Sequence, residues 1–333
     1  MIRTAIVGMG IRGNLFARGL NQNPSTTLVG VCDINSQSLT SASKNWGVPG
    51  FKDFEELLKK QSPEAVIICT PDFAHYKYVI TAANHGINIL VEKPLATSKE
   101  EAREMMAAVQ TQGVICQVAF ENRWNPPFVQ VKEAIKSDKL GEISVINAKL
   151  NDTLFVPTQM LKWAGKSTVG WFLLPHLVDL AIWLSGKKPS QVYAVANKKI
   201  LPSLGIDTYD TICTTLRFHD DMLALFETSW ILPESLPSIF DFKFDITGSR
   251  GTIHVDVQNQ MMDQSTDRFS YPGTLMVDIY GKTYGFPLYM LDSFIETVKK
   301  RTEPLVTIEE GYEVTCVIEA VHRSIETGQP IVL

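Results

Sequence analysis

TAIVGMGIRG, residues 4–13, carries an apolar run directly into Gly8, Gly10 and Gly13, and residues of helical character follow. Strand, glycine turn and helix in that order open a nucleotide-binding βαβ unit. The three glycines have separate tasks. Gly8 permits the tight turn, Gly10 lets the backbone approach a pyrophosphate, and Gly13 allows close packing of helix on sheet. With Ile11 and Arg12 they form the first turn of a helix whose unpaired N–H groups and positive dipole end face anionic phosphates.

Outward from this motif, TLVGVCD (residues 27–33) ends in Asp33, at about the 20-residue remove from the glycines expected of an acid that accepts hydrogen bonds from the adenosine ribose. A carboxylate suits two hydroxyls and repels a 2′-phosphate, and Ile34 and Asn35 bring no cation to offset it. NAD is therefore the expected cofactor, and Arg12, the nearest cation, is the feature that would let NADP in.

From Thr4 to about Phe120 the pattern continues, with strand candidates AVIICT, INILVE and VICQVAF alternating with amphipathic segments at 11–23, 36–46, 53–60, 74–85 and 98–112. Ser98 followed by Glu101 has capping-box spacing. Near-continuous apolar strands imply a parallel sheet covered by helices on both faces. Residues 1–121 are thus expected to form a doubly wound Rossmann domain. After Phe120 the character changes: Pro126 and Pro127 open a helix, and LGEISVINAKL alternates with period two. Residues 122–333 are expected to form a second α/β domain with an antiparallel or mixed sheet, including a hairpin at residues 219–221 between TICTTLRF and MLALFETSW. Helical patterns at 288–300 and 309–327 close the chain.

Composition narrows the partners. With 333 residues, 45% hydrophobic and 20% charged, the chain has material for two buried cores. The formal charge of −5 and dispersed Lys and Arg argue against nucleic acid. No apolar stretch reaches the ~20 residues that span a bilayer. The N-terminus enters a strand at once, leaving no room for a signal peptide, so a cytoplasmic setting is expected. Five widely spaced cysteines (Cys32, Cys69, Cys116, Cys213, Cys316) point to free, buried thiols rather than disulfides, and no metal-ligand cluster stands out.

The segments AIVGMGIRG, CTPDFAH, ILVEKPLA and HLVDLAIWLSG, in this order, resemble the glucose-fructose oxidoreductase, inositol dehydrogenase and MocA family of nicotinamide-dependent oxidoreductases over essentially the whole chain. The resemblance implies a C-terminal domain with a large open, mostly antiparallel sheet that makes homodimer or homotetramer contacts. It implies cofactor contacts from the glycine segment, Asp33, Thr70, Pro71, Glu92 and Lys93, and a catalytic Lys93 between nicotinamide and substrate. Independently, open parallel sheets bind ligands at the carboxyl ends of their strands, where Lys93 falls. Removing hydride from a carbinol carbon requires a group that takes the hydroxyl proton. A lysine, ordinarily near pKa ~10.4, serves once burial and a positive nicotinamide disfavour its charged form.

In the second domain the resemblance gives His176 a role as substrate partner or proton relay. Asp179, on the same helical face, is expected to orient it. Asn122, Arg123, Trp163 and Asp179 join the expected substrate contacts, Trp163 as a stacking surface. His75 is expected to be structural. One departure stands out: the family's acid four residues before the histidine is Phe172 here, which leaves the Lys, Asp, His trio incomplete and favours a substrate less polar on that side. The expected function is hydride transfer between NAD(P) and a hydroxyl or carbonyl of a sugar, sugar derivative or cyclitol. Alternatives on the same fold are an NAD-dependent glycosidase and a non-catalytic dinucleotide-binding regulator.

Overall fold

The computed structural model describes the whole chain, Met1–Leu333. It divides into two compact units, Met1–Glu121 with Val277–Thr315, and Asn122–Met276 with Cys316–Leu333.

The first unit is built on β1 (Ile2–Val7), β2 (Thr26–Cys32), β3 (Gly50–Phe51), β4 (Ala65–Ile68), β5 (Asn88–Val91) and β6 (Cys116–Val118). They pair in parallel in the order β3-β2-β1-β4-β5-β6. Val66, Ile67 and Ile68 are wholly buried, as their unbroken apolar run requires of a strand covered on both faces. The connecting helices are α1 (Ile11–Gln22), α2 (Ser36–Trp46), α3 (Phe54–Gln61), α4 (His75–Asn84) and α5 (Lys99–Gln112). Their ends follow local chemistry. Asn35, Asp53 and Ser98 accept from the backbone N–H groups of the first turns of α2, α3 and α5, and Gly47 and Gly113 close α2 and α5 in the left-handed conformation. The two-residue β3 has no apolar run to announce it. The later helix Phe286–Lys300 packs on α1, where a Cβ on Gly19 would stand 2.7 Å from Leu291 and 2.8 Å from Leu288.

The second unit carries α6 (Pro126–Lys136), β7 (Ile143–Thr153), α7 (Val169–Phe172), α8 (Leu174–Ser185), β8 (Pro189–Asn197), β9 (Thr211–Phe218), β10 (Leu223–Leu232), β11 (Phe240–Gly248) and β12 (Thr252–Asp256). Its sheet runs β12-β11-β7-β10-β9-β8 and ends on the C-terminal strand Ile331–Val332. Only β7 and β10 pair in parallel; the other neighbours are antiparallel, including the β9–β10 hairpin. Period-two alternation turns Ile212, Thr214 and Leu216 inward, and apolar α8 packs against β7 and β10. The same alternation leaves Tyr193, Val195, Leu223 and Leu225 exposed on the other face. It also corrects one expectation: Cys213 is exposed rather than buried, because an odd position in β9 faces outward. No helix is long and apolar enough to cross a membrane.

Candidate active site

In the first unit the strand order reverses between β1 and β4, and the crevice there is where an open α/β sheet takes a ligand. Gly8 sits in it with φ of +89°, and a Cβ on it would stand 2.6 Å from the Cys69 carbonyl oxygen. At Gly13 a Cβ would stand 2.0 Å from the Gly8 carbonyl oxygen, whereas at Gly10 it would meet nothing within 4 Å. The chain's own packing therefore demands glycine at 8 and 13 but not at 10, and position 10 opens onto free space at the uncapped N-terminus of α1. Ile11, the first residue of that helix, is exposed.

Three further features fit a dinucleotide. Asp33 is fixed by two backbone donors, Met9 N to Oδ2 and Asn35 N to Oδ1, both at 2.7 Å. Thr70 Oγ1, just beyond β4 and followed by Pro71, is buried and hydrogen-bonds nothing in the chain. A groove lined by Met9, Asn14, Gln37, Ser38 and Asn45 extends beside the glycine turn.

Arg12 is committed elsewhere. Its Nε donates to Glu92 Oε1 at 2.7 Å and its Nη2 to a Glu121 carboxylate oxygen. Burial penalises the guanidinium charge, but Glu121 and Glu92 more than offset this and keep its pKa above the ordinary value. Lys93 follows β5 in this cluster, joined to Pro94 by a cis peptide. Burial pushes the ammonium below its ordinary pKa, and Glu92, Glu121 and Asp72 pull against that shift while Arg12 adds to it. His75 is completely buried, with Nδ1 2.8 Å from the Pro94 carbonyl oxygen and Nε2 2.9 Å from that of Thr70. It thereby ties the end of β4 to the turn that carries Lys93.

In the second unit His176 lies in the first turn of α8, where Asn122 Nδ2 donates to its Nδ1 at 3.2 Å. Asn125 Nδ2 donates to Asn122 Oδ1, also at 3.2 Å, and so fixes which way the Asn122 amide points. Nδ1 thus accepts and the ring proton resides on Nε2. The Asp179 carboxylate meets the Arg123 guanidinium: Nη2 is 2.6 Å from Oδ1, and Nε is 3.2 Å from each oxygen. Both side chains are 2% exposed, so this pair lies beneath the surface, whereas His176 and Trp163 are partly exposed.

Phe172, at the end of α7, belongs to an aromatic cluster. Trp163 meets it edge-on at 6.0 Å between ring centroids, and the fully buried Trp230 lies tilted at 6.1 Å. The α7 turn is held from behind. Thr168 Oγ1 accepts from Trp171 N and lies 2.7 Å from His322 Nε2, and the His322 ring stacks on Trp171 at 5.0 Å.

The run ENRWN, residues 121–125, is noticeable in sequence as a segment after the last Rossmann strand that resembles the family's substrate-facing stretch, but sequence reasoning passes over Thr168, Trp230 and His322. Thr168 had a local signal, an N-cap residue before a short helix. Trp230 and His322 act through partners remote in sequence and carried none.

Comparison with known proteins matches a Gfo/Idh/MocA model described as an oxidoreductase family with an NAD-binding Rossmann fold to residues 2–120. The model of that family's C-terminal alpha/beta domain matches residues 132–333. The chain is 24% identical to a myo-inositol 2-dehydrogenase of Thermotoga maritima, covering 100% of this chain and 98% of that one. It is 25% identical to a D-glucoside 3-dehydrogenase of Escherichia coli, covering 100% and 97%. In fold it is similar to the crystal structure of a myo-inositol 2-dehydrogenase from Lactobacillus plantarum, with a TM-score of 0.88, 22% identity, and 100% and 99% of the two chains covered.

Proposed function

This chain belongs to the Gfo/Idh/MocA oxidoreductase family, and from that premise we propose that it is an NAD-dependent dehydrogenase of a sugar, sugar derivative or cyclitol, with Lys93 as its proton-transfer residue. The observation that carries the reading is the environment of Lys93, at the carboxyl end of β5 and with its ammonium form disfavoured by burial. Burial makes the neutral amine, the form that can take a hydroxyl proton, easier to reach than in a solvated lysine.

Gly8, Gly10, Ile11, Gly13, Asp33, Thr70 and Pro71 would hold the dinucleotide, which supplies the hydride acceptor for oxidation or the donor for reduction. The fixed Asp33 carboxylate favours a ribose with both hydroxyls free. Arg12, engaged by Glu92 and Glu121, is drawn away from a 2′-phosphate, which supports NAD over NADP. His176, with its proton on Nε2, would donate a hydrogen bond to a substrate oxygen, with Asn122 orienting its ring. Buried Arg123 and Asp179 support α8 from below. Trp163 and Phe172 offer aromatic surface to the less polar face of a ring substrate.

The exposed Tyr193, Val195, Leu223 and Leu225 give the outer face of the sheet an apolar surface suited to a homodimer or homotetramer. Five free cysteines accord with a reducing, cytoplasmic setting.

The test is a panel of sugars, sugar acids and cyclitols followed by NADH absorbance, with Lys93→Met in parallel. Turnover is expected on at least one member and is lost in the variant, which keeps its NADH affinity. Near-normal turnover of Lys93→Met would refute the assignment.

A further inference from the structure

We propose that Asn14, held by the indole of Trp46, is a positioning residue that turns the N–H groups of Gly10 and Ile11 toward the pyrophosphate of the cofactor. The proposal rests on the reading of residues 8–13 as the dinucleotide turn and names what orients that turn.

Asn14 stands one turn into α1, and helical side chains lean toward the N-terminus. Its amide therefore reaches back to the start of the helix. There Nδ2 donates to the Met9 carbonyl oxygen at 3.0 Å and to the Gly10 carbonyl oxygen at 2.9 Å. The Gly10 oxygen also accepts from the backbone N–H of Asn14 at 3.1 Å. Trp46, the last residue of α2, supplies the remaining contact, with Nε1 donating to Asn14 Oδ1 at 3.0 Å. These bonds admit one orientation of the amide. Reversed, its oxygen would face two carbonyl oxygens and its NH2 group would face an indole N–H, so every pair would repel.

A planar trans peptide points its C=O and the N–H that follows in opposite directions. With the Met9 and Gly10 oxygens drawn to Asn14, the N–H groups of Gly10 and Ile11 are turned away from it. Gly10 borders open space, with nothing within 4 Å of a Cβ built on it. Orphan donors at a helix start suit an anion.

The need for such a brace follows from the glycine. Gly10 lets a phosphate approach the backbone, but without a Cβ the peptide between Met9 and Gly10 is free to turn over. Turned over, it would present the Met9 oxygen, an acceptor, to the anion. On the other side of Met9 the N–H is already fixed, since it donates to Asp33 Oδ2 at 2.7 Å. Asn14 fixes the carbonyl of the same residue and of the next, so the donors are aimed before a ligand arrives. Such preorganisation removes an ordering cost from binding.

The test is ligand titration of the parent and two variants, with NADH read by fluorescence and with ADP-ribose and adenosine read as its competitors. Asn14→Leu keeps the side chain's size and removes its donors. NADH and ADP-ribose, which carry the pyrophosphate, should weaken at least about tenfold, the strength of one hydrogen bond to a charged group, while adenosine stays within about twofold. Trp46→Phe leaves both Asn14 donors in place and removes only the indole N–H. The same selective loss should appear there at about threefold, as one neutral hydrogen bond allows. Circular dichroism checks folding, and if Asn14→Leu does not fold, Trp46→Phe decides by the same comparison. Equal losses of ADP-ribose and adenosine would show a general disturbance of the groove and overturn the proposal, as would unchanged ADP-ribose affinity. A parent protein that binds neither NADH nor ADP-ribose would overturn the cofactor assignment itself, whereas one that binds both without the selective loss overturns the role of Asn14 alone.

Discussion

Gly10 and Gly13 lie three residues apart, yet alanine should do opposite things at the two positions. At Gly13 the new Cβ would stand 2.0 Å from the Gly8 carbonyl oxygen, about 1 Å inside the closest approach real side chains make. The atom it meets is backbone and has no rotamer to escape into. The helix or the turn must shift, at an overpacking cost of about 1–3 kcal/mol. At ~2–4 °C per kcal/mol for a unit of this size, the melting temperature should fall by about 2–12 °C.

At Gly10 the Cβ meets no atom of the chain within 4 Å, so Gly10→Ala should melt within about 2 °C of the parent, as surface changes do. The methyl instead fills the space through which a pyrophosphate would approach the start of α1. The same overpacking range then falls on binding and weakens NADH about 5- to 150-fold. Thermal melts by circular dichroism and NADH fluorescence titrations on the two variants decide the matter. A Gly10→Ala protein that binds NADH within twofold of the parent, or one that loses as much stability as Gly13→Ala, would refute the assignment of this space to the cofactor.

Removing the Asp179 charge weakens its buried, charge-assisted hydrogen bonds with Arg123, so Asp179→Asn should cost about 1.5–3 kcal/mol and lower the melting temperature by roughly 3–12 °C; the double variant Arg123→Met/Asp179→Leu should recover much of that loss. Asp33→Ala should narrow the preference for NADH over NADPH at least tenfold, about 1.4 kcal/mol, in paired fluorescence titrations, and an unaltered ratio would count against Asp33 as the ribose acid. His322 is held neutral by burial, which lowers its pKa, while Nδ1 donates to the Ile318 carbonyl oxygen at 2.8 Å and Nε2 accepts from Thr168. The unfolded chain takes that proton near pH ~6.5 and the folded chain resists it, so the favourable contribution is complete above about pH 6.5 and is lost as the pH falls through that value. His322→Gln should flatten the decline of melting temperature between about pH 7 and 5, and identical slopes in both proteins would dismiss the effect.

Much of the fold was legible because its signals are local. Short, Val- and Ile-rich apolar runs such as AVIICT, bounded by turn residues and alternating with helical segments, read as strands covered on both sides. The alternation in TICTTLRF can only be a strand with one wet face. Cys213 shows how a local rule misleads when it is not carried through, since residue composition gave a buried thiol and the alternation of its own strand an exposed one. The helical pattern at 288–300 reads as part of a second domain spanning 122–333, yet residues Val277–Thr315 pack in the first unit, a contact with α1 that no pattern within either element encodes.

The candidate site divides along the same line. Sequence by itself determined the glycine turn, the acid at position 33 and the lysine in Glu-Lys-Pro, because each is defined by short spacing around a strand end. Only the tertiary structure decided who partners whom. Helical spacing pairs His176 with Asp179, but the fold gives His176 an amide from Asn122 and gives Asp179 the guanidinium of Arg123. Arg12 belongs to the glycine motif, but its charge is spent on Glu92 and Glu121, remote in the chain and adjacent in space. Periodicity records which face a residue presents, and a charge finds its partner only when packing brings two faces together.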